Sequence, residues 1–268
     1  LALLQAAIRV DISVPKGDTR TMQGKFKYAV QFHGPGGLSY RLPEPVIKPV
    51  DQGAVSFLDD LLTKESGEIV LVALGPLTNV ARLLREHPYA LEQAKNIVVM
   101  GGAVNTPGNV TPHAEFNTYC DPVAAKIVFS SGLPVTLVDL AACRQVGISR
   151  KQAFGLQSRH PLGQLTVGLL QGWFKKEPSR QRFDFYDPLK MAFALEPAVA
   201  SVKKIDLDVD LEQSQFWGAT WETGGPGEIT VLGDVHAPRF FKFLEESLGL
   251  KGLGIGFTPL SSINFLRL

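Results

Sequence analysis

Residues Glu68 to Met100 read EIVLVALGPLTNVARLLREHPYALEQAKNIVVM. Glu68 to Leu74 is a continuous apolar run rich in β-branched residues, the pattern of a strand covered on both faces. Thr78 stands where a helix cap is needed, Asn79 to Glu86 has helical spacing and stops before Pro88, and Asn96 to Met100 is a second buried strand. A strand, a helix and a strand at this spacing form the unit from which parallel sheets are built.

The same alternation extends in both directions. Ala54 to Thr63 (AVSFLDDLLT) has apolar residues at helical intervals, and Asp121-Pro122 opens a helix through VAAKIVFSSG, with an acidic cap, Pro at its first position and Gly132 at its end. Pro134 to Leu140 (PVTLVDL) is a further strand. Upstream, Leu1 to Ile8 reads as the end of an amphipathic helix and Asp11 to Pro15 as a short strand, and the Gly- and Pro-punctuated sequence to Pro49 reads as a long loop. Downstream, Ser149 to Ser179 is helical with a break at His160-Pro161, and Asp187-Pro188 starts a second acid-capped helix closed by Pro197. Lys204 to Val231 alternates as an antiparallel pair around a Gly-rich loop at Thr223 to Gly227, and Ala237 to Leu248 is the last helix. The expected fold is α/β, a doubly wound, mostly parallel sheet flanked by helices. Residues 1–248 are expected to form one domain, and 249–268 stay unassigned.

Composition removes several function classes. With 27 basic and 26 acidic residues the net charge is +1, which gives no positive field for a phosphate backbone, so nucleic acid is not an expected partner. No run reaches the roughly 18 apolar residues that cross a bilayer, so no membrane role is expected. Leu1 to Ile8 lacks the basic n-region and cleavage site of a signal peptide. Cys120 and Cys143, the two cysteines, lack zinc-site spacing and are too few for a disulfide framework, which makes a cytoplasmic location the expectation.

In doubly wound sheets ligands bind beyond the carboxyl ends of the strands. The stretch that leaves the Met100 strand, MGGAVNTPGNVTPHAEFNTYCD, presents Asn109, Glu115 and Asn117 there. A carboxylate accepts from hydroxyls and an amide both donates and accepts, which suits a polyhydroxylated ligand such as a sugar. Turn statistics offer a second reading, in which Asn and Gly only make turns and Glu115 caps a helix.

Gly108 to Pro134, GNVTPHAEFNTYCDPVAAKIVFSSGLP, resembles the hallmark block of the inosine-uridine preferring nucleoside hydrolase family. VALGPLTN from Val72 to Asn79, the Asp-Pro-Leu at Asp187 and, more weakly, HGPGGL from His33 to Leu38 match further blocks in the same order, so that the likeness covers Ile8 to Leu248. The resemblance implies hydrolysis of ribonucleosides such as inosine or uridine to ribose and free base, within nucleoside catabolism. In that chemistry calcium holds a water and the ribose hydroxyls, and the base leaves an oxocarbenium-like sugar. It further implies Asp187 and the backbone carbonyl of Leu74 as metal ligands, Met100, Asn109, Glu115 and Asn117 as ribose-binding groups, and His33 in a loop over the nucleobase. A homodimer or homotetramer is the implied assembly.

Two departures stand out. Many members carry a His before the metal-binding Asp, where this chain has Tyr186, a weaker acid that would have to meet the leaving base. The family's opening D-x-D-x-x-x-D-D block, a source of calcium ligands, occurs nowhere in the sequence. The expectation is therefore a sheet missing its first strand–helix unit, an N-terminally truncated chain with weak or absent calcium binding. A catalytically inactive relative, acting as a weak binding or interaction module, is the alternative. The acids of IDLDVDLE, Asp206, Asp208 and Asp210, read as a solvated strand face, and Trp217 and Trp221 as packing residues on one side. His87, His113, His160 and His236 read as surface residues and Cys143 as a buried thiol.

Overall fold

A computed structural model describes residues 12–23, 26–34, 37–38, 42, 44–46 and 48–254. The expected helix at Leu1 to Ile8, Asp11 and the tail from residue 255 lie outside the described residues. The described residues divide into two compact units, those within 1–28, 42–141 and 202–233 in one and those within 29–41, 142–201 and 234–268 in the other.

The first unit holds the main sheet. Its strands are β1 (Val70–Ala73), β2 (Asn96–Met100), β3 (Val135–Val138), β4 (Ala200–Val209), β5 (Thr220–Thr223) and β6 (Ile229–Val235), in the spatial order β5-β4-β6-β3-β2-β1. β1, β2 and β3 pair in parallel, Val70 opposite Asn96 and Ile97 opposite Val135, and β6 joins parallel to β3 through Thr230 and Val231. β4 and β5 form an antiparallel pair as expected, Thr220 opposite Val209, but the chain turns between them at residues 210–219, and the Gly-rich loop at Thr223 to Gly227 leads instead to β6, which is not a neighbour of β5.

Ile97 to Met100 and Val135 to Val138 are buried throughout, as continuous apolar runs in parallel strands should be. β1 departs from expectation, being only partly covered at every position, because it stands at the end of the strand order among the described residues. Helices α1 (Ala54–Lys64), α2 (Thr78–Glu86) and α3 (Pro122–Phe129) supply Leu62, Val80, Ala81, Leu83, Ala124, Ala125 and Val128 to one core with Ile97, Val99, Val135 and Leu137. Each fully buried Leu, Ile or Val among them contributes on the order of 1.5–3 kcal/mol by leaving water.

Thr78 does not cap α2. It is the helix's first residue, after Leu77, and its hydroxyl is drawn instead to the Asp121 carboxylate. Asp121 does cap α3, accepting from the Ala124 N–H at 3.1 Å. The acids of IDLDVDLE are engaged rather than merely solvated: on β4 Asp208 pairs with Lys126 and Asp206 accepts from the Glu228 N–H, and just past its end Asp210 accepts from the Glu212 N–H. Trp217 packs, donating its indole N–H to the Tyr119 carbonyl, whereas Trp221 is exposed on β5.

The second unit is built on helices α4 (Pro161–Lys176), α5 (Tyr186–Leu195) and α6 (Ala237–Leu248), with a four-residue helix at Val30–His33 inside the stretch expected to be loop. Its core is a run of rings, Trp173, Phe174, Phe183, Phe185, Phe240 and Phe241, with neighbouring centroids 5.0 to 6.3 Å apart. His160 and His236 cap α4 and α6, each accepting a backbone N–H through Nδ1. His87 pairs with Asp59, and His113 packs against Phe216 with the rings tilted. Asp187 does not cap α5; the cap position falls on Phe185 and the carboxylate sits in the first turn. Leu250–Lys251 forms a short strand against Gln157–Ser158, so the start of the unassigned tail belongs to this unit.

Candidate active site

The chain leaves β2 at Met100 through Gly101, whose N–H donates to the Val138 carbonyl on β3. It loops outward and returns at Gly108, where a Cβ would come within 2.3 Å of the Thr111 and Ala114 carbonyl oxygens. Only glycine allows that approach. The closure is held by Gly108 N–H to Pro112 O and Asn109 N–H to Ala114 O, and it brings Glu115 back beneath the strand end.

Glu115 is 2% exposed. Its Oε2 accepts from the N–H groups of Asn117 at 2.8 Å, Thr118 at 3.1 Å and Gly102 at 3.3 Å. The sequence offered two readings, helix cap and sugar-binding carboxylate. The geometry supplies the cap, for Glu115 precedes the helix Phe116–Cys120, and the same contacts hold the carboxylate rigid at the strand edge. Asn117 projects from that helix and donates its amide to the Met100 carbonyl at 3.2 Å, to Met100 Sδ at 3.4 Å and, at 3.5 Å, to the Leu74 carbonyl. Asn109 is exposed and accepts the Phe116 N–H through Oδ1, which fixes its NH2 group as the end left to donate. Leu74, Met100, Asn109, Glu115 and Asn117 thus gather at the C-terminal ends of β1 and β2.

His33, Tyr186 and Asp187 belong to the second unit. Tyr186 and Asp187 open α5, where the helix dipole favours a carboxylate. Asp187 Oδ1 lies 3.8 Å from the ammonium of Lys190 one turn on. Lys190 is completely buried while 51% of the Asp187 side chain is open. Loss of hydration raises the Asp187 pKa, and the charges of Lys190 and His33 oppose that rise. His33 ends the short helix at Val30–His33 on the surface. Desolvation lowers its pKa, the Asp187 carboxylate works against that, and Lys176 and Arg180 reinforce it. Lys190 is the residue the sequence reading passed over; its signal was a lone charge inside the apolar stretch LKMAFAL. Cys143, fully buried as expected, donates to the Tyr186 carbonyl at 3.9 Å.

The model of the inosine-uridine preferring nucleoside hydrolase family matches residues 1–242. The chain belongs to that family. It is a ribonucleoside hydrolase by that membership. A pyrimidine-specific ribonucleoside hydrolase, RihA of Photobacterium profundum, is 33% identical over 259 residues, spanning 92% of this chain and 83% of that relative. The solved plant nucleoside hydrolase PpNRh1 superposes with a TM-score of 0.82 at 28% identity, over 92% of this chain and 83% of that one. A purine-preferring ribonucleoside hydrolase from Gardnerella vaginalis gives 0.80 at 27% identity, over 90% and 81%.

Nucleoside hydrolases are generally metal-dependent. Among the described residues no three His, Cys, Asp or Glu side chains form a group able to hold a metal ion. The donors expected from sequence are one carboxylate, which faces the Lys190 ammonium, and one carbonyl, which already accepts from Asn117. Calcium takes six to eight oxygens, and these donors alone do not fit it.

Proposed function

We propose that this nucleoside hydrolase binds the ribose of its substrate through Glu115, Asn117 and Asn109 at the ends of β1 and β2, with Met100 lining the sugar pocket. The observation that carries this reading is the Glu115 carboxylate, buried and fixed by three backbone N–H groups beside two asparagine amides. A carboxylate so held pays little reorganisation when it accepts a sugar hydroxyl. His33 and Tyr186 meet the leaving nucleobase, each able to donate a hydrogen bond as negative charge builds on it. The family resemblance would add a calcium ion that supplies an activated water; Asp187 and the Leu74 carbonyl would be donors toward it, though alone they do not fill its shell. The relatives differ in the bases they prefer, so both a purine and a pyrimidine nucleoside belong in the test.

The alternative from the sequence, a nucleoside-binding module without turnover, predicts binding with no release. Ribose release from inosine and uridine, measured as reducing sugar beside calorimetric nucleoside binding, separates the two. Release that Asn117→Ala and Glu115→Gln suppress supports the hydrolase site; binding without release supports the module.

A further inference from the structure

The four-residue helix at Val30–His33 has no side-chain cap and no buried side chain. A single turn of that kind does not persist alone in water. Its position is set by the C-terminal end of α4. The Arg180 guanidinium lies 4.1 Å from the centre of the Trp173 ring and 5.8 Å from that of Phe32. Its Nη1 donates to the Trp173 carbonyl at 3.0 Å and its Nη2 to the Gln31 carbonyl at 3.1 Å. Lys176 Nζ adds a bond to the Val30 carbonyl at 3.3 Å. Phe32 in turn rests 5.4 Å from Trp173 and 4.8 Å, edge-on, from the His33 imidazole.

We infer that Arg180 is a positioning residue for His33, fastening the turn that carries the imidazole to α4 so that it meets the leaving nucleobase. This rests on the role given to His33 above. Arginine suits the task because one planar group stacks on an indole while its fork reaches two carbonyls; a lysine ammonium supplies charge without the plane or the fork. Arg180 acts on the turn's backbone and on Phe32, so its effect on the reaction passes through His33.

The test uses the full chain with Arg180→Leu, Arg180→Lys, His33→Ala and the double variant Arg180→Leu/His33→Ala. Substrates are inosine, uridine and p-nitrophenyl β-D-ribofuranoside, whose phenolate departs without a proton. We expect Arg180→Leu to lower kcat for the nucleosides by on the order of tenfold or more, to spare the nitrophenyl riboside, and to add nothing in the His33→Ala background. Arg180→Lys, which keeps the charge and serves if the leucine variant does not fold, should recover only part of the loss. Faster amide exchange at Gln31 to Gly34 should accompany it. Equal slowing of all three substrates, unchanged nucleoside kinetics, or full additivity with His33→Ala would overturn the inference. His33→Ala with wild-type nucleoside kinetics would instead overturn the role of His33, and amide exchange would then report the clamp alone.

Discussion

The Thr78 hydroxyl donates to Asp121 Oδ2 at 2.6 Å, with both side chains buried. The same oxygen accepts the Met22 N–H at 2.8 Å, while Oδ1 caps α3. One carboxylate therefore ties together three segments of the first unit, and the Asp-Pro of the hallmark block serves the fold rather than the sugar. Hydrogen bonds to charged groups contribute roughly 1.5–3 kcal/mol each. We predict that Thr78→Val costs about 2 kcal/mol in urea unfolding, and Asp121→Ala about 3 kcal/mol or more. A double-mutant cycle should show coupling, and additive losses would mean that the pair is independent.

The block proposed to bind ribose makes a different prediction. Glu115→Gln keeps the side chain's length but turns an acceptor-only group into one that can present an NH2 to the N–H groups of Gly102, Asn117 and Thr118. Ribose release should fall on the order of a hundredfold in kcat/KM, as for a displaced catalytic group. Gly108→Ala should behave similarly and also lower the melting temperature, because its methyl meets two carbonyl oxygens at 2.3 Å. Wild-type kinetics in Glu115→Gln would remove this carboxylate from the site.

These cases show where the sequence was legible. Buried runs such as Ile97 to Met100 carry their environment in their composition, and Asp121-Pro122 names its own role as a cap, because both depend on near neighbours. Thr78 and Asp187 looked like caps by the same local rule, yet Thr78 is claimed by a carboxylate 43 positions away and α5 starts one residue before Asp187. The partial cover on β1 and the engagement of Asp208 by Lys126 likewise depend on which strands and helices become neighbours. Glu115 was identifiable as a candidate from its block, but its three N–H donors depend on the return of the loop at Gly108.

Cys120 gives a pH prediction. Burial beside Glu115 pushes its thiol from 9.0 to about 11. A folded pKa above the unfolded one means that the contribution to stability is complete below about pH 9 and is lost as pH rises through about 11. The two-unit gap corresponds to roughly 2–3 kcal/mol. Urea titrations from pH 8 to 11 should show this decline, and Cys120→Ala should flatten that part of the profile. Cys120 should also resist alkylation at pH 8 in the native protein while reacting readily in urea.

Asp187 and Lys190 carry the last prediction, because the carboxylate expected to serve the metal already has an ammonium 3.8 Å away that is wholly buried. A cation and a divalent ion compete for the same oxygen, so Lys190 should weaken any metal held by Asp187. If turnover is metal-dependent, Asp187→Ala should match the wild type in chelator, with ribose release lost and no further response to added calcium. Lys190→Met keeps the length and removes the charge, so it should bind calcium more tightly by calorimetry. Tighter binding is the opposite of what general damage to α5 would give, since a distorted helix would weaken it. Undiminished, chelator-sensitive ribose release in Asp187→Ala would move the metal site away from α5.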